Sequence, residues 1–214
     1  LIRHGQASFG ADNYDVLSPQ GFRQAQVLGQ HLNTLAVSFD RCLSGDLKRQ
    51  QDTANTALAE LNHTHGVTPA LELDPAFNEF DADAVIRALL PALAAEEPHA
   101  FEVMRNAPQN RAEFQRLFSL LIKRWVSGEY DHPDLESWLS FADRVHAGLK
   151  RVLEQAEKHH NVAIFTSGGT ITALLHLITA IPTDQAFALN WQIVNTSLSR
   201  LKFRGSEVTL ASFN

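Results

Sequence analysis

The chain has 214 residues, of which 44% are hydrophobic and 20% charged, proportions typical of a folded globular protein rather than of a disordered or coiled-coil chain. Its 18 Lys and Arg against 24 Asp and Glu leave a net charge of -6, which excludes a broad basic field that would attract nucleic acid or an anionic membrane. The single cysteine, Cys42, excludes an internal disulfide and a cysteine-based zinc site. It is typical of a reducing compartment, so we expect a cytoplasmic protein.

The longest apolar stretch, residues 171–181, is about half of the roughly 20 residues that cross a bilayer, so we expect no transmembrane helix. The sequence opens at Leu1 and Ile2 without an initiator Met, and these two residues are too few for the first strand. We therefore expect further residues before Leu1, and whether they include a signal peptide stays open.

The first elements are marked by capping residues and apolar spacing. Ser18 suits an N-cap and Pro19 the first helical position, and apolar residues at helical spacing then predict a helix over about 19–34. The apolar run 39–43 predicts a strand, followed by a polar turn and a second helix over 47–61. Residues 67–73 and 76–80 have strand-like composition.

The segment 84–126 has helical spacing with interruptions predicted at Pro91, Pro98 and Pro108. A long amphipathic helix is predicted from Trp138 to near residue 159, then a buried strand over 162–165 and a helix over 171–179. Two strand candidates, 197–203 and 207–213, flank a turn. This alternation predicts a three-layer α/β/α fold with a mainly parallel central sheet and a late antiparallel hairpin.

Chemically useful side chains follow several of the predicted strands. Arg3 and His4 follow the first strand, Arg49 lies just beyond the second, and Ser167 and Gly168 follow the strand at 162–165. Another such side chain, Glu79, stands near the strand predicted at 76–80. Ligands of open α/β sheets bind beyond the carboxyl ends of the strands. Arginine forks and a glycine-rich helix start suit a phosphoryl group, so these residues predict a phosphate site.

These segments resemble the motifs of the histidine phosphatase superfamily, also called phosphoglycerate-mutase-like proteins. Residues 1–5 are similar to the family's opening strand and RHG motif, 17–29 to its first helix and 44–54 to its second-arginine motif. The remaining similarities are residues 77–79 to the acid motif, residues 136–145 to the helix before the last motif, and residues 195–197. The resemblance implies a single domain over 1–214, with a helical insertion at about 83–135 forming a cap over the site.

The resemblance also implies a mechanism. His4 would attack phosphorus and become a transient phosphohistidine, while Arg3 and Arg49 neutralise the charge of the phosphoryl oxygens. The acid motif implies that Glu79 protonates the leaving group and later accepts a proton from water. Asp81 and Asp83 are nearby alternatives for a carboxylic acid at this place. This chemistry needs no metal and no cofactor.

One position departs from the family pattern, because the second histidine that precedes the Gly-Gly pair in the family is Ser167 here. A serine hydroxyl can donate one hydrogen bond to phosphate, but it is shorter than imidazole and uncharged. Loss of one preorganised donor costs about 10²- to 10³-fold in rate, which predicts a weakened phosphatase. Gly168 is expected to offer a backbone N–H to the phosphate from the helix start.

Three functions follow from these residues. The first is a metal-independent phosphomonoester hydrolase acting on a small phosphorylated substrate or a phosphopeptide. The second is a catalytically weak or inactive phosphate-binding or regulatory protein, suggested by Ser167. The third, a phosphoglycerate mutase, is disfavoured because retaining and returning a phosphoryl group requires a tight and complete pocket. The sequence does not indicate the oligomeric state.

Two histidine pairs resemble metal ligands at first sight, His63 with His65 and His159 with His160. Each pair lies near a predicted helix end without a partner cluster, so we interpret these histidines as solvated and predict no metal site.

Overall fold

The computed structural model describes residues 1–8, 14–65 and 69–214, with the side chains of residues 62–65 outside that description. The first half of the chain forms β1 (Ile2–Arg3), α1 (Pro19–Thr34), β2 (Arg41–Ser44), α2 (Lys48–His65), β3 (Leu71–Leu73), α3 (Ala82–Ala94) and α4 (Ala100–Arg105). The second half forms α5 (Arg111–Ser127), α6 (Trp138–Gln155), β4 (Val162–Thr166), α7 (Gly168–Thr179), α8 (Thr183–Asn190), β5 (Arg200–Arg204) and β6 (Glu207–Ser212). None of these helices combines the length and apolar character needed to span a bilayer.

The predicted parallel sheet is confirmed. Its strand order is β1-β4-β2-β3, and every neighbouring pair is parallel. The late hairpin is also confirmed, because β5 pairs with β6 in antiparallel register. Parallel neighbours require crossover connections, and the helices between the strands supply them.

Helices cover both faces of this sheet, as the three-layer prediction requires. Cys42 and Phe165 point to one face, where they pack with Leu28 of α1 and Leu58 of α2. Their neighbours in the chain point to the other face, because side chains alternate along a strand. There, one buried cluster contains Leu43 of β2, Ile164 of β4, Val152 of α6, and Phe77 from the 3-10 turn Pro75–Phe77.

The chain divides into two compact units, residues 1–79 with 144–214 and residues 80–143. The first unit contains the sheet. The second contains α3 to α5 and has an aromatic core of Phe80, Trp125, Trp138 and Phe141, in which the rings of Phe80 and Trp125 are 4.6 Å apart. A single domain with a cap over about 83–135 stays a prediction.

The predicted break at Pro91 is wrong, because Pro91 lies inside α3. Four apolar residues of α3 are buried, and their packing maintains the helix across one missing backbone hydrogen bond. Pro98 and Pro108 do lie between helices.

The strand predicted at 76–80 is also wrong. Residues Pro75–Phe77 form one turn of 3-10 helix, with the Asp74 side chain accepting a hydrogen bond from the Ala76 N–H at 2.9 Å. Side chains satisfy the carbonyl groups that a neighbouring strand would otherwise bond. Arg144 donates to the carbonyls of Pro75 and Ala76, and Thr166 Oγ1 donates to that of Phe77.

The close packing of helix α1 against helix α2 can be tested at Gly29. A Cβ added to Gly29 would collide with the Ala57 carbonyl oxygen and lie 2.7 Å from the Glu60 Cβ. Although alanine is favoured over glycine in a helix by up to about 1 kcal/mol, we expect Gly29→Ala to lower the free energy of unfolding by about 1–3 kcal/mol. Urea denaturation measures this change. The control is Val27→Ala on the same helix, since Val27 is 49% exposed. Unchanged or increased stability of Gly29→Ala would contradict the close contact.

Candidate active site

Three strands end level with one another at the edge of the sheet that carries the site. Arg3 of β1 is paired with Thr166 of β4, and Ser44 of β2 is paired with Phe165. The residues that follow these strands therefore emerge side by side. In this way His4, the Gly45 turn and Ser167 reach one place from three distant parts of the sequence.

His4 is 3% exposed, and its backbone and ring are both held in place. Its N–H donates to the Thr166 carbonyl at 2.9 Å, and its own carbonyl accepts from the Asn195 side-chain amide at 3.1 Å. The ring Nδ1 lies 2.7 Å from the Gly5 carbonyl oxygen. Because a carbonyl can only accept, Nδ1 carries the proton and Nε2 presents its lone pair.

The charge state of His4 follows from its surroundings. Burial, and then the nearby positive charge of Arg49, lower the pKa of His4 from 6.5 to about 3, with Arg3 adding to the effect. The bond to Gly5 opposes this shift. The imidazole is therefore neutral near pH 7, as a nitrogen nucleophile must be.

Arg49 stands in the first turn of α2 and contacts His4 directly. Its Nε donates to His4 Nε2 at 3.3 Å, while its Nη1 forms an ion pair with Asp15 at 2.8 Å. The Asp15 carboxylate also accepts the backbone N–H groups of Lys48 and Arg49, so it caps α2 from a distant loop. The Tyr14 ring centroid lies 5.1 Å from the Arg49 guanidinium carbon. Sequence analysis missed Asp15 and Tyr14, because no motif links this loop to α2.

Thr53 ties the loop of the nucleophile to the turn that carries Arg49. Its hydroxyl accepts the Gly5 N–H at 3.0 Å and donates to the Arg49 carbonyl at 2.7 Å. The sequence motif contains Thr53, but the motif alone does not indicate this bridge.

Arg3 is held on the other side of the site. Its Nη1 donates to the Ile193 carbonyl, and its backbone carbonyl accepts the Thr196 N–H at 3.1 Å. Burial lowers the pKa of Arg3, whereas Tyr14 and Glu79 raise it, and a guanidinium stays protonated. Gly168 lies beside it, since a Cβ added there would be 3.8 Å from Arg3 Cζ and only 2.7 Å from Asn190 Oδ1.

Glu79 reaches the start of α7. Its Oε2 accepts the Gly169 N–H at 2.9 Å, so this carboxylate satisfies one of the free donors at the helix N-terminus. Asp81, the neighbouring alternative, accepts the Ala84 N–H and caps α3. The structure thus gives Asp81 a capping role and brings Glu79 close to Gly168 and Arg3.

Ser167 is fully buried before α7, and its partner is Gln50. Gln50 Nε2 donates to Ser167 Oγ at 2.8 Å and to the Phe77 carbonyl at 3.1 Å. Sequence analysis missed Gln50, although its place directly after Arg49 could have drawn attention to it. The six predicted residues therefore lie on neighbouring segments: His4 contacts Arg49, Gly168 lies beside Arg3, Glu79 accepts the N–H of Gly169, and Ser167 is bonded to Gln50. Their roles stay predictions.

The described part of the chain contains no candidate metal site. Within those residues, no group of three or more His, Cys, Asp and Glu side chains could hold a metal ion. The side chains of His63 and His65 lie outside the described residues.

The low pKa of His4 makes folding stability depend on pH. The unfolded chain binds a proton on His4 near pH 6.5, but the folded protein binds it only near pH 3. Stability from this residue is therefore fully present above pH 6.5 and is lost as the pH falls. Between pH 7 and pH 5, we expect wild type to lose about 2 kcal/mol more of its unfolding free energy than His4→Asn, as measured by urea denaturation. Identical losses in both proteins would show that the imidazole is not held neutral.

Comparison with known proteins identifies relatives of this arrangement. Among curated proteins, the chain is similar to the mitochondrial serine/threonine-protein phosphatases Pgam5 of Drosophila grimshawi and Drosophila virilis. The first is 34% identical over 65 residues, covering 29% of this chain and 22% of the relative. The second is 26% identical over 127 residues, covering 55% of this chain and 39% of the relative. The chain therefore spans well under half the length of these two relatives.

Solved structures with a similar fold include three phosphoryl-transfer enzymes. Mycobacterial glucosyl-3-phosphoglycerate phosphatase, in complex with VO3, has a TM-score of 0.64 at 21% identity, covering 100% of this chain and 96% of that one. Phosphoserine phosphatase from Entamoeba histolytica, in complex with 3-phosphoglyceric acid, has a TM-score of 0.66 at 19% identity. That comparison covers 100% of this chain and 94% of the other. Phosphoglycerate mutase from Bacillus anthracis has a TM-score of 0.65 at 21% identity, and the comparison covers 99% of this chain and 90% of the other. At these identities the likeness shows a shared fold.

The family model of the histidine phosphatase superfamily (branch 1) matches residues 1–115 and 108–214. The two matches together extend over the whole sequence, including the segments that place His4, Arg49 and Ser167 at one edge of the sheet. This chain therefore belongs to the histidine phosphatase superfamily.

Proposed function

We propose that this protein is a phosphomonoester hydrolase in which His4 Nε2 is the nucleophile. The observation that carries the proposal is the state of His4: a buried neutral imidazole whose Nδ1 proton is bound by the Gly5 carbonyl and whose Nε2 faces Arg49. This arrangement leaves one lone pair, at Nε2, and fixes its direction. The Arg49 Nε–H that this lone pair accepts at 3.3 Å must be displaced when phosphorus approaches. A positioned nucleophile beside a cationic donor is what in-line phosphoryl transfer requires.

The reaction has two steps. In the first, Nε2 attacks phosphorus, the bond from phosphorus to the ester oxygen breaks, and the Glu79 carboxyl group gives its proton to the leaving oxygen. In the second, Glu79 takes a proton from water, the water oxygen attacks phosphorus, and the bond to Nε2 breaks to release inorganic phosphate. Arg3 and Arg49 neutralise the charge on the phosphoryl oxygens in both steps. The bond from Nδ1 to Gly5 holds the ring and stabilises the charge that it gains.

The proposed substrates are small phosphorylated molecules or phosphopeptides. Support comes from the names of the similar proteins, which include a phosphoserine phosphatase, a glucosyl-3-phosphoglycerate phosphatase and two serine/threonine-protein phosphatases. The buried contacts around His4 would recognise the phosphoryl end that all such molecules share.

A second candidate is a phosphate-binding protein with little or no turnover. The observation that favours it is Ser167, which stands where the family has a second histidine and whose oxygen is already bound by Gln50. In this case the two arginines would bind a phosphorylated ligand without efficient transfer to His4.

The His4 assignment has a direct test. We expect His4→Ala to reduce turnover of a phosphoester panel by at least about 10³-fold, because the nucleophile is lost. Radiolabelled substrate quenched with base should leave label on wild-type protein and none on His4→Ala. The matched control is His31→Ala on α1, an exposed histidine that should leave both readouts unchanged. Unaltered turnover by His4→Ala would refute the proposal, whereas phosphate binding by wild type without turnover would support the second candidate.

The Glu79 assignment predicts a dependence on the leaving group. Glu79→Gln keeps an oxygen that can accept the Gly169 N–H but has no proton to give to an alkoxide. We expect it to slow hydrolysis of alkyl phosphates by about 10²- to 10⁴-fold and to affect p-nitrophenyl phosphate much less, since nitrophenolate leaves without protonation. Asp81→Asn is the control for the neighbouring carboxylate. Equal slowing of both substrate types by Glu79→Gln would rule out a general acid at this position.

A further inference from the structure

Gln50 is a fully buried amide inside the candidate active site. Its nitrogen has two hydrogens, and the two acceptors around it are Ser167 Oγ at 2.8 Å and the Phe77 carbonyl at 3.1 Å. The orientation of the amide group is unambiguous. Turning it over would place Oε1 against the Phe77 carbonyl oxygen, and two acceptors repel each other.

The hydrogen bond from Gln50 restricts what the Ser167 hydroxyl can do. Ser167 Oγ accepts from the amide, so its one hydrogen is left to donate to a different group. Serine before a helix usually caps it by accepting a backbone N–H, but Ser167 makes no such bond to α7. The contact with Gln50 therefore takes the place of the usual capping contact.

The surroundings of this pair are those of the phosphate site. Gln50 directly follows Arg49, which contacts His4, and Ser167 directly precedes Gly168, which lies beside Arg3. Gln50 and Ser167 are thus each adjacent in the chain to a residue of the phosphate site. The Ser167 hydroxyl is buried there, where a hydrogen bond to a charged oxygen is stronger than in water.

The far side of the amide is closely packed. A Cβ on Gly45 would collide with Gln50 Oε1 and would lie 2.5 Å from Asn78 Oδ1. Oε1 itself accepts no hydrogen bond, which is an energetic cost for a buried polar atom. Both side-chain hydrogen bonds of Gln50 are donated by its Nε2, one to Ser167 Oγ and one to the Phe77 carbonyl.

We propose that Gln50 is a positioning residue that holds Ser167 Oγ as an acceptor, so that the Ser167 hydroxyl donates its proton to a phosphoryl oxygen. Gln50 and Ser167 together then supply the hydrogen bond that a second histidine would make. The inference rests on the proposed function in one respect only, namely that the ligand is a phosphoryl group.

A double-mutant cycle tests the proposal. The variants are Gln50→Met, which has similar length and cannot donate a hydrogen bond, Ser167→Ala, and the two combined. The probe is orthovanadate, which can take the five-coordinate geometry of phosphoryl transfer, and its affinity is measured by calorimetry. Because Gln50 acts through Ser167, we expect Gln50→Met to weaken binding about 10-fold in wild type and less than about 2-fold in Ser167→Ala. Where turnover is measurable, kcat should fall more than KM changes, since the hydrogen bond strengthens in the transition state.

Gln51→Met on the same turn of α2 is the matched control, because Gln51 bonds the Asp46 carbonyl instead and should leave vanadate affinity unchanged. Thermal unfolding of each variant checks its fold, and Gln50→Leu replaces Gln50→Met in the cycle if the latter does not fold. Equal effects of the Gln50 variant in both backgrounds would overturn the proposal, and so would an unchanged affinity in wild type. If wild type hydrolyses no phosphoester, the proposed function fails, but the vanadate cycle still decides whether Gln50 acts through Ser167.

Discussion

The site depends on the register in which β4 pairs with β1 on one side and with β2 on the other. Arg3 is level with Thr166, and Ser44 is level with Phe165, so the backbone leaves the sheet at three adjacent points. A shift of one residue in any of these pairs would turn the following side chains to the opposite face. The buried clusters on both faces oppose such a shift, because Cys42 and Leu43 each fit only one of them.

A buried Arg49 and a partly buried Arg3 beside a neutral histidine are electrostatically demanding, and the surrounding residues explain how the fold accommodates them. Asp15 binds Arg49, the Ile193 carbonyl binds Arg3, and Glu79 contributes a favourable charge. Burial of the His4 ring and, after it, the positive charge of Arg49 lower the pKa of His4 and keep the ring uncharged, and the same positive charge would attract a phosphoryl dianion. A protein with a net charge of -6 therefore carries a small cationic site, built from few side chains at one edge of the sheet.

The departure from the family pattern at Ser167 involves a second residue. The resemblance to the family's motifs implies a missing imidazole at this position, whereas the structure shows the Gln50 amide bonded to the Ser167 hydroxyl. This pair carries no charge, and its amide donates to the Phe77 carbonyl and packs closely against Gly45. Long-range contacts of this kind, between residues 117 positions apart, leave no local pattern in a sequence.

Much of the fold could be predicted from local patterns. The capping residue Ser18, the apolar run of β4 and the turn before β6 identified α1, β4 and the hairpin, because these signals act over a few residues. The predicted strand at 76–80 failed, since side chains from α6 and β4 satisfy that backbone instead of a neighbouring strand. By itself, the sequence determined the α/β class and the candidate residues Arg3, His4, Arg49, Glu79, Ser167 and Gly168. Only the tertiary structure decided the protonation state of His4, the anchoring of Arg49 by Asp15 and the partner of Ser167, because each depends on burial and on contacts between distant segments.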